Sequence, residues 1–325
     1  MTSEGYMLQA AVLDGRGGAR ALNAGSIGRW TPDQGLLWAV LDRHEQATEP
    51  WLRDVAALPE LLVTSILTEE PRPRCTPIDS GLLVMLRGVN LIPGAEPDDM
   101  VALRGWFDER RAILVRGRPV TAVDDVAAAL QEGNGPTRSG EILVQLLEAL
   151  TDRIDDTAAD LSEQADEIEA KSGADEIGSA LRVRIAELRS GCMTMRRHIA
   201  PQRDMVGRMI VAPHPLLTDL DRAHLREVSE RLTHAVEELD LIRERLVIAQ
   251  EQLAARINEK LSRNTYRLSV VACVFLPLSL LTGLLGINVG GIPLADSPWG
   301  FWVICAVLLV VVTAELLFFR RMRWM

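Results

Sequence analysis

Cysteine is scarce in this chain. Cys75, Cys192, Cys273 and Cys305 are the only four in 325 residues, and no Cys-x-x-Cys pair occurs. A zinc knuckle and a dithiol redox centre are thereby excluded, and the usage fits a reducing compartment. Histidine is also thin: His44, His198, His214, His224 and His234 show neither His-x3-His nor HExxH spacing. His224 with Glu227, and His234 with Glu238, share helix faces. Ordinary surface pairs explain them more simply than weak cation sites do. Positive charge is outweighed, with 35 Lys and Arg against 45 Asp and Glu, a net charge of −10. The C-terminal segment is itself basic, so what precedes it is clearly acidic. That argues against nucleic acid as a partner and suits cations as ligands. Enzyme motifs are missing as well. Asp14-Gly-Arg-Gly-Gly18 is not GxGxxG and reads as a hairpin loop, Gly133–Gly140 lacks the lysine of a phosphate loop, and no GxSxG occurs. No enzyme is expected, and no cofactor. Met1–Gly5 has no basic or apolar leader pattern, so the large first part is expected to stay in the cytoplasm.

What the chain does have is two long apolar runs near its end. Leu268–Gly286 holds 19 residues without a charge, and Trp299–Phe319 holds 21 with one charge, Glu315. As helices they would span about 28 and 31 Å, against a hydrocarbon core of about 30 Å. They predict a transmembrane hairpin over 267–325, with spans 268–286 and 299–319 joined by a loop at 287–298. Lys260, Arg263 and Arg267 precede the first span, Arg320, Arg321 and Arg323 follow the second, and the loop has no Lys or Arg. The positive-inside rule then places both termini in the cytoplasm and the loop outside.

The remainder divides in two. In 1–135, Tyr6–Leu13, Leu36–Leu41, Leu82–Ile92 and Ala112–Arg116 read as strands. Glu49–Glu70, restarted at Pro59, and Pro119–Leu130 read as helices. This predicts a cytoplasmic α/β domain. Gly133-Asn134-Gly135-Pro136 marks a break, and 136–266 reads as a helical stalk. Its helices are expected over Glu141–Lys171, Ala174 to about Met195, and one run of some 70 residues that enters the membrane. Leu225, Val228, Leu232, Ala235, Leu239, Ile242, Leu246, Ala249 and Leu253 form a heptad stripe on that last helix. The stripe can serve to pack on the two preceding helices or to self-associate.

Two spans alone cannot enclose a pore, so the hairpin is either an anchor or one of several copies around a path. Gly286, Gly283, Ser279, Leu276, Ala272, Leu268 and Thr265 fall on one stripe of the first span, small or weakly polar with two leucine constrictions. The opposite side, Val271, Val274, Leu278, Leu281 and Leu285, is bulky and apolar. A small-residue stripe permits close helix contact or lines a wet path. Below the membrane, Asn258, Glu251, Glu244, Asp240 and Glu237 lie on or near its continuation. Around an axis they would make an acidic vestibule, and singly they read as a solvated face. Gly286 and Gly290-Gly291 are expected to end the helix with conformations other residues resist. Asn288 offers an amide carbonyl that a bundle could arrange as a ring for a hydrated cation. A helix cap followed by a turn accounts for the same residues.

Tyr266–Trp299, with Gly286-Ile287-Asn288 closing the first of two C-terminal spans, resembles the two-span Gly-x-Asn family of divalent-cation transporters typified by CorA. The continuation Val289-Gly290-Gly291-Ile292-Pro293 is similar to the zinc-transporting ZntB branch. Pro71–Cys75, Gly81–Arg116 and Val123-Asp124-Asp125 carry the likeness into the soluble part. The resemblance implies a homopentamer in the inner membrane whose long helix lines a funnel and then the pore, with the second span outside. It implies a filter at Gly286, Ile287 and Asn288, and a pore lined by Gly283, Ser279, Leu276, Ala272, Leu268 and Thr265. The acidic Met-Pro-Glu-Leu type of loop usual in CorA is missing. Asp296 is the only acid between the spans. Zn2+ is therefore the expected cargo, with Mg2+ or broad divalent transport as the alternative and a non-conducting membrane-anchored sensor as a second one. No fixed metal site is assigned. Cys273 is the one sulfur beside the stripe, and a buried inert thiol is its simpler reading. Glu315 can snorkel or pair with a nearby arginine, or serve a proton-linked role.

Overall fold

The structure is a computed structural model of the full chain. It describes residues 5–321 apart from 70–71, 93, 95–98, 174–178, 288–291 and 293–296. The chain separates into two compact units, Met1–Gln250 and Glu251–Met325.

The first unit begins with a seven-stranded sheet of order β2-β1-β3-β7-β6-β5-β4. Its strands are β1 (Met7–Leu13), β2 (Ala19–Ala21), β3 (Leu37–Asp42), β4 (Arg74–Ile78), β5 (Gly81–Gly88), β6 (Val101–Asp108) and β7 (Arg111–Arg116). Only the central β3–β7 pairing is parallel. The four expected strands are present, and β2, β4 and β6 are additions. The sequence hides β6 because Arg104 and Asp108 interrupt its apolar pattern. Both are nevertheless buried. The Arg104 guanidinium donates to the carbonyls of Thr68 at 3.1 Å and Glu69 at 2.6 Å, which satisfies it inside. Burial, with Arg43 and Arg87 nearby, pushes its pKa down to about 10.

One sheet face is covered by short helical segments: α1 (Ala24–Ile27), α2 (Thr48–Pro50) with the π turn Trp51–Val55 that follows it, and α3 (Glu60–Leu67). Trp51, Leu52, Leu62, Val63 and Ile66 pack there on Leu37, Ala39, Leu41, Met85, Ile113 and Val115. The expected helix over Glu49–Glu70 is thus two pieces, broken where Ala57 takes a positive φ of 49° and Pro59 caps α3.

Contacts to the sheet also come from α5 (Ser139–Gly173) and α6 (Ser179–Val211), with α4 (Thr121–Glu132) packed on α5. At Gly88 a Cβ would meet Leu150 Cδ2 at 2.5 Å, so glycine lets α5 lie close on β5. The fully buried Gln202 of α6 accepts the Arg87 backbone N–H at 2.8 Å. That helix runs through Pro201 to Val211, sixteen residues past the expected end near Met195. The change from strands to helices near residue 135 therefore falls inside one packed unit.

The long helix α7 (Asp219–Leu285) has 67 residues and passes through Pro277. Its start is fixed by Thr218, which exchanges hydrogen bonds with Asp221, while Arg138 grips the Asp221 carboxylate at 3.0 and 3.1 Å. Burial works to raise the Asp221 pKa, but Arg138 and Thr218 together hold it below the usual range. All nine heptad-stripe residues from Leu225 to Leu253 are buried within the chain. From Leu225 to Ala249, within the first unit, the stripe therefore serves internal association in the helical bundle.

The polar flank of that contact repeats every seven residues. On α7, His224, Arg231, Glu238 and Arg245 meet Glu148, Asp155, Ser162 and Glu169 of α5 at 2.7, 2.8, 2.6 and 2.7 Å. Each partner pair is 76 residues apart, so α5 and α7 run parallel and in register. Contacts of Arg196 with Asp240 and Arg189 with Gln250 step in opposite directions along the chain, so α6 is antiparallel to α7.

The second unit comprises the end of α7 and α8 (Gly300–Arg321). Both helices are long and apolar enough to cross a membrane, and neither buries its apolar stretch within the chain.

Candidate functional site

The small-residue stripe of the first span lies open along its length. Thr265, Leu268, Ala272, Leu276, Ser279, Gly283 and Gly286 are all exposed, with Leu268 at 71% and Leu276 at 69%. Nothing lies within 4 Å of where a Cβ on Gly283 would stand. On the opposite side Val274, Leu278, Leu281 and Leu285 are half-buried, while Val271 is 53% exposed. A protein surface this apolar and continuous must be covered by lipid or by other protein.

Beside the stripe, a hydroxyl is satisfied by the helix itself. The Thr282 hydroxyl donates to the Leu278 carbonyl at 2.9 Å. The helix ends where the sequence predicts: the Gly286 N–H donates to the carbonyls of Thr282 at 3.0 Å and Gly283 at 3.2 Å. Gly286 does so without a left-handed φ, contrary to the expectation of an unusual conformation. Its lack of a side chain matters instead because a Cβ would come to 3.2 Å from the Thr282 carbonyl oxygen. Ile287 is 48% exposed. Asn288 and Asp296 lie outside the described residues, as do Gly290 and Gly291.

Cys273 is exposed within the chain, not buried as its simpler reading expected. Glu315 in α8 is half-buried, and its Oε2 is shielded with no hydrogen-bond partner among the described residues.

The acids expected below the membrane fall into two groups. Glu237 and Glu244, in the first unit, and Glu251, in the second, are exposed. Asp240 pairs with Arg196 of α6 at 2.7 Å, so its charge is engaged within the helical bundle. His234 lies 3.8 Å from Glu237, and His224 contacts Glu148 at 2.7 Å on α5 in place of the expected helix neighbour Glu227. Among the described residues, no three of His, Cys, Asp and Glu converge in a way that could hold a metal ion. Sequence reasoning missed the α5–α7 ladder, although its heptad spacing on both helices was there to be read.

A mixed sheet domain, a helical bundle and a long helix continuing into a pair of apolar spans define a membrane protein of the two-span transporter architecture. A family model for CorA-like Mg2+ transporter proteins matches residues 33–321, and the chain belongs to that family. It is 41% identical over 322 residues to the divalent cation transporter CmaX of Pseudomonas aeruginosa, covering 98% of this chain and 97% of that protein. It is 34% identical over 318 residues to the zinc transport protein ZntB of Pectobacterium atrosepticum, covering 98% and 96%. The full-length CmaX structure superimposes with a TM-score of 0.86 at 40% identity, covering 99% of each chain. The complete CorA magnesium transporter of Methanocaldococcus jannaschii shares the fold, with a TM-score of 0.83 at 18% identity over 98% of this chain and 99% of that one.

Proposed function

We propose that this protein carries divalent cations, Zn2+ foremost, across the inner membrane through a homopentameric pore. The observation that carries this reading is the open stripe from Thr265 to Gly286. It is small or weakly polar, unpartnered within the chain, and backed by a bulky apolar side. An anchor needs no such asymmetry. When copies converge, Thr265, Leu268, Ala272, Leu276, Ser279 and Gly283 line the path. Gly286, Ile287 and Asn288 form the filter at its outer mouth, where neutral carbonyls bind a hydrated cation without trapping it. Glu237, Glu244 and Glu251 raise the local cation concentration at the cytoplasmic end, and both termini are cytoplasmic. The poverty of strong zinc ligands fits a conduit, because an ion held tightly cannot leave.

Broad divalent transport is the second reading. It is favoured by the name of the CmaX relative and by the Mg2+ assignment of the family model. The test is Zn2+ and Mg2+ uptake into proteoliposomes, with and without a pH gradient, for the wild type and Asn288→Ala. Zn2+ flux that the substitution abolishes or deregulates is the expected result. Mg2+ flux without Zn2+ flux moves the protein to the magnesium side. No flux of either ion from well-folded oligomers turns the reading to a membrane-anchored sensor.

A further inference from the structure

The α5–α7 ladder changes character at one step. Arginine stands on α7 at 231 and 245, but at 238 between them stands Glu238, which accepts from the Ser162 hydroxyl at 2.6 Å. A trough of about 720 Å³ opens there. Its walls combine Asp155, Glu163, Asp166, Glu237 and Glu238 with small and apolar side chains such as Ala158 and Leu241. Asp155 and Asp166 are paired with Arg231 and Arg245, while Glu163 makes no ion pair among the described residues. The trough thus carries excess negative charge beside an exposed leucine, Leu241 at 50%. It is far larger than an ion requires, and the described residues provide no metal-ligand set.

The same bundle carries the complementary surface on α6. Ile185, Leu188, Cys192, Met195 and Ile199 are its buried side. Two positions away, about 200° around the helix, Val183, Ala186, Ser190, Met193 and Arg197 form an exposed stripe flanked by Arg182. Val183 and Met193 are more than half exposed, at 56% and 53%. Arg182 and Arg197 make no ion pair among the described residues. A mainly small and apolar helix face with Arg182 and Arg197 near its two ends matches a trough of alanine, leucine and carboxylates.

We infer that the trough between α5 and α7 of one copy receives the Val183–Arg197 face of α6 from the next copy. The two surfaces differ and lie on different helices of one bundle. Repeating the contact is therefore head-to-tail and builds a ring where the rotation closes. This inference rests on the multi-copy pore proposed above and names residues that hold the ring together outside the membrane.

Charge reversal on the full chain in detergent tests it, with oligomer mass measured across a dilution series. Arg182→Glu with Arg197→Glu, and separately Glu163→Arg with Glu237→Arg, are each expected to raise the concentration at which the oligomer dissociates by about tenfold or more. Combining all four is expected to restore assembly toward wild type. A second measurement does not depend on electrostatics. In a background lacking the four native cysteines, Met193→Cys together with Leu241→Cys should cross-link into a ladder of multimers, and either alone should not. Oligomers unaffected by both reversals, or a Met193→Cys single variant that cross-links to dimers, would overturn the inference and leave the pore reading standing. A wild type that is monomeric at every concentration would overturn both.

Discussion

The two ends of α7 carry the same kind of side chain to opposite places. Leu239, Ile242 and Leu246 sit at heptad spacing and are 1%, 0% and 0% exposed. Leu268, Leu276 and Leu280 are 71%, 69% and 64% exposed on the same helix. In the first stretch polar residues fill the rest of the helix surface, so water selects which face turns inward. In the second the helix is apolar nearly all round, and no face is distinguished by water. There, side-chain size takes over from polarity as the information: a small stripe on one side and bulk on the other. Burial by one's own chain is the signature of a helix in water. An apolar helix left bare by its own chain is made for another solvent or for other copies.

The comparison is broken most severely by a cavity in the first stretch. Leu246→Ala is expected to destabilise the bundle by about 2–5 kcal/mol, read as a lower unfolding midpoint of the helical signal. The same change at Leu276 should leave that midpoint unmoved, and equal losses at both would contradict the contrast. Next in size is a charge in the second unit. Leu309, 70% exposed on α8, should tolerate arginine in any watery setting, whereas Leu309→Arg at mid-span is expected to cost about 2.5–3.5 kcal/mol of insertion. The readout is the fraction of protein recovered in the membrane, and an unchanged fraction would deny that α8 spans.

The smallest expected effect concerns pH at the turn before α7. His214 accepts the Leu216 N–H at 3.3 Å, and its Nε2 is buried without a hydrogen-bond partner among the described residues. Burial holds its pKa below the ordinary histidine value, an effect the Gly81 backbone only partly offsets. The folded protein thus binds the proton less readily than the unfolded chain. The resulting stability is fully present above about pH 6.5 and is lost as pH falls through the depressed folded value. Unfolding midpoints at pH 7.5 and 5.5 should differ less in His214→Gln than in the wild type. No counterpart is expected from the apolar spans.

The long helix, the heptad stripe and the two spans were legible because each repeats one rule many times. The point where the first span ends was legible too, since Gly286 closes an uncharged run. Less was visible in the sheet. Asp108 and Arg104 read as polar interruptions, but Trp106 donates to the Asp108 carboxylate at 2.9 Å and Arg104 caps carbonyls from the end of α3. The Arg104 pairing spans 36 residues, and neither pairing leaves a period in the sequence. The opposite error fell on α6: an end was expected near Met195, yet the helix continues through Pro201 to Val211, and Gln202 anchors it to β5. Among the site residues, the open stripe followed from spacing alone. The engagement of Asp240 by Arg196 did not, since the two belong to different helices.

Hydropathy and helical period act residue by residue, and they suffice to set the membrane hairpin, the length of α7 and which of its faces are apolar. The seven-strand order, the parallel register of α5 on α7 and which acids remain exposed emerge only once the chain is folded. Those outcomes depend on pairs of residues brought together by the fold, and a pair 76 positions apart has no local energy to announce it.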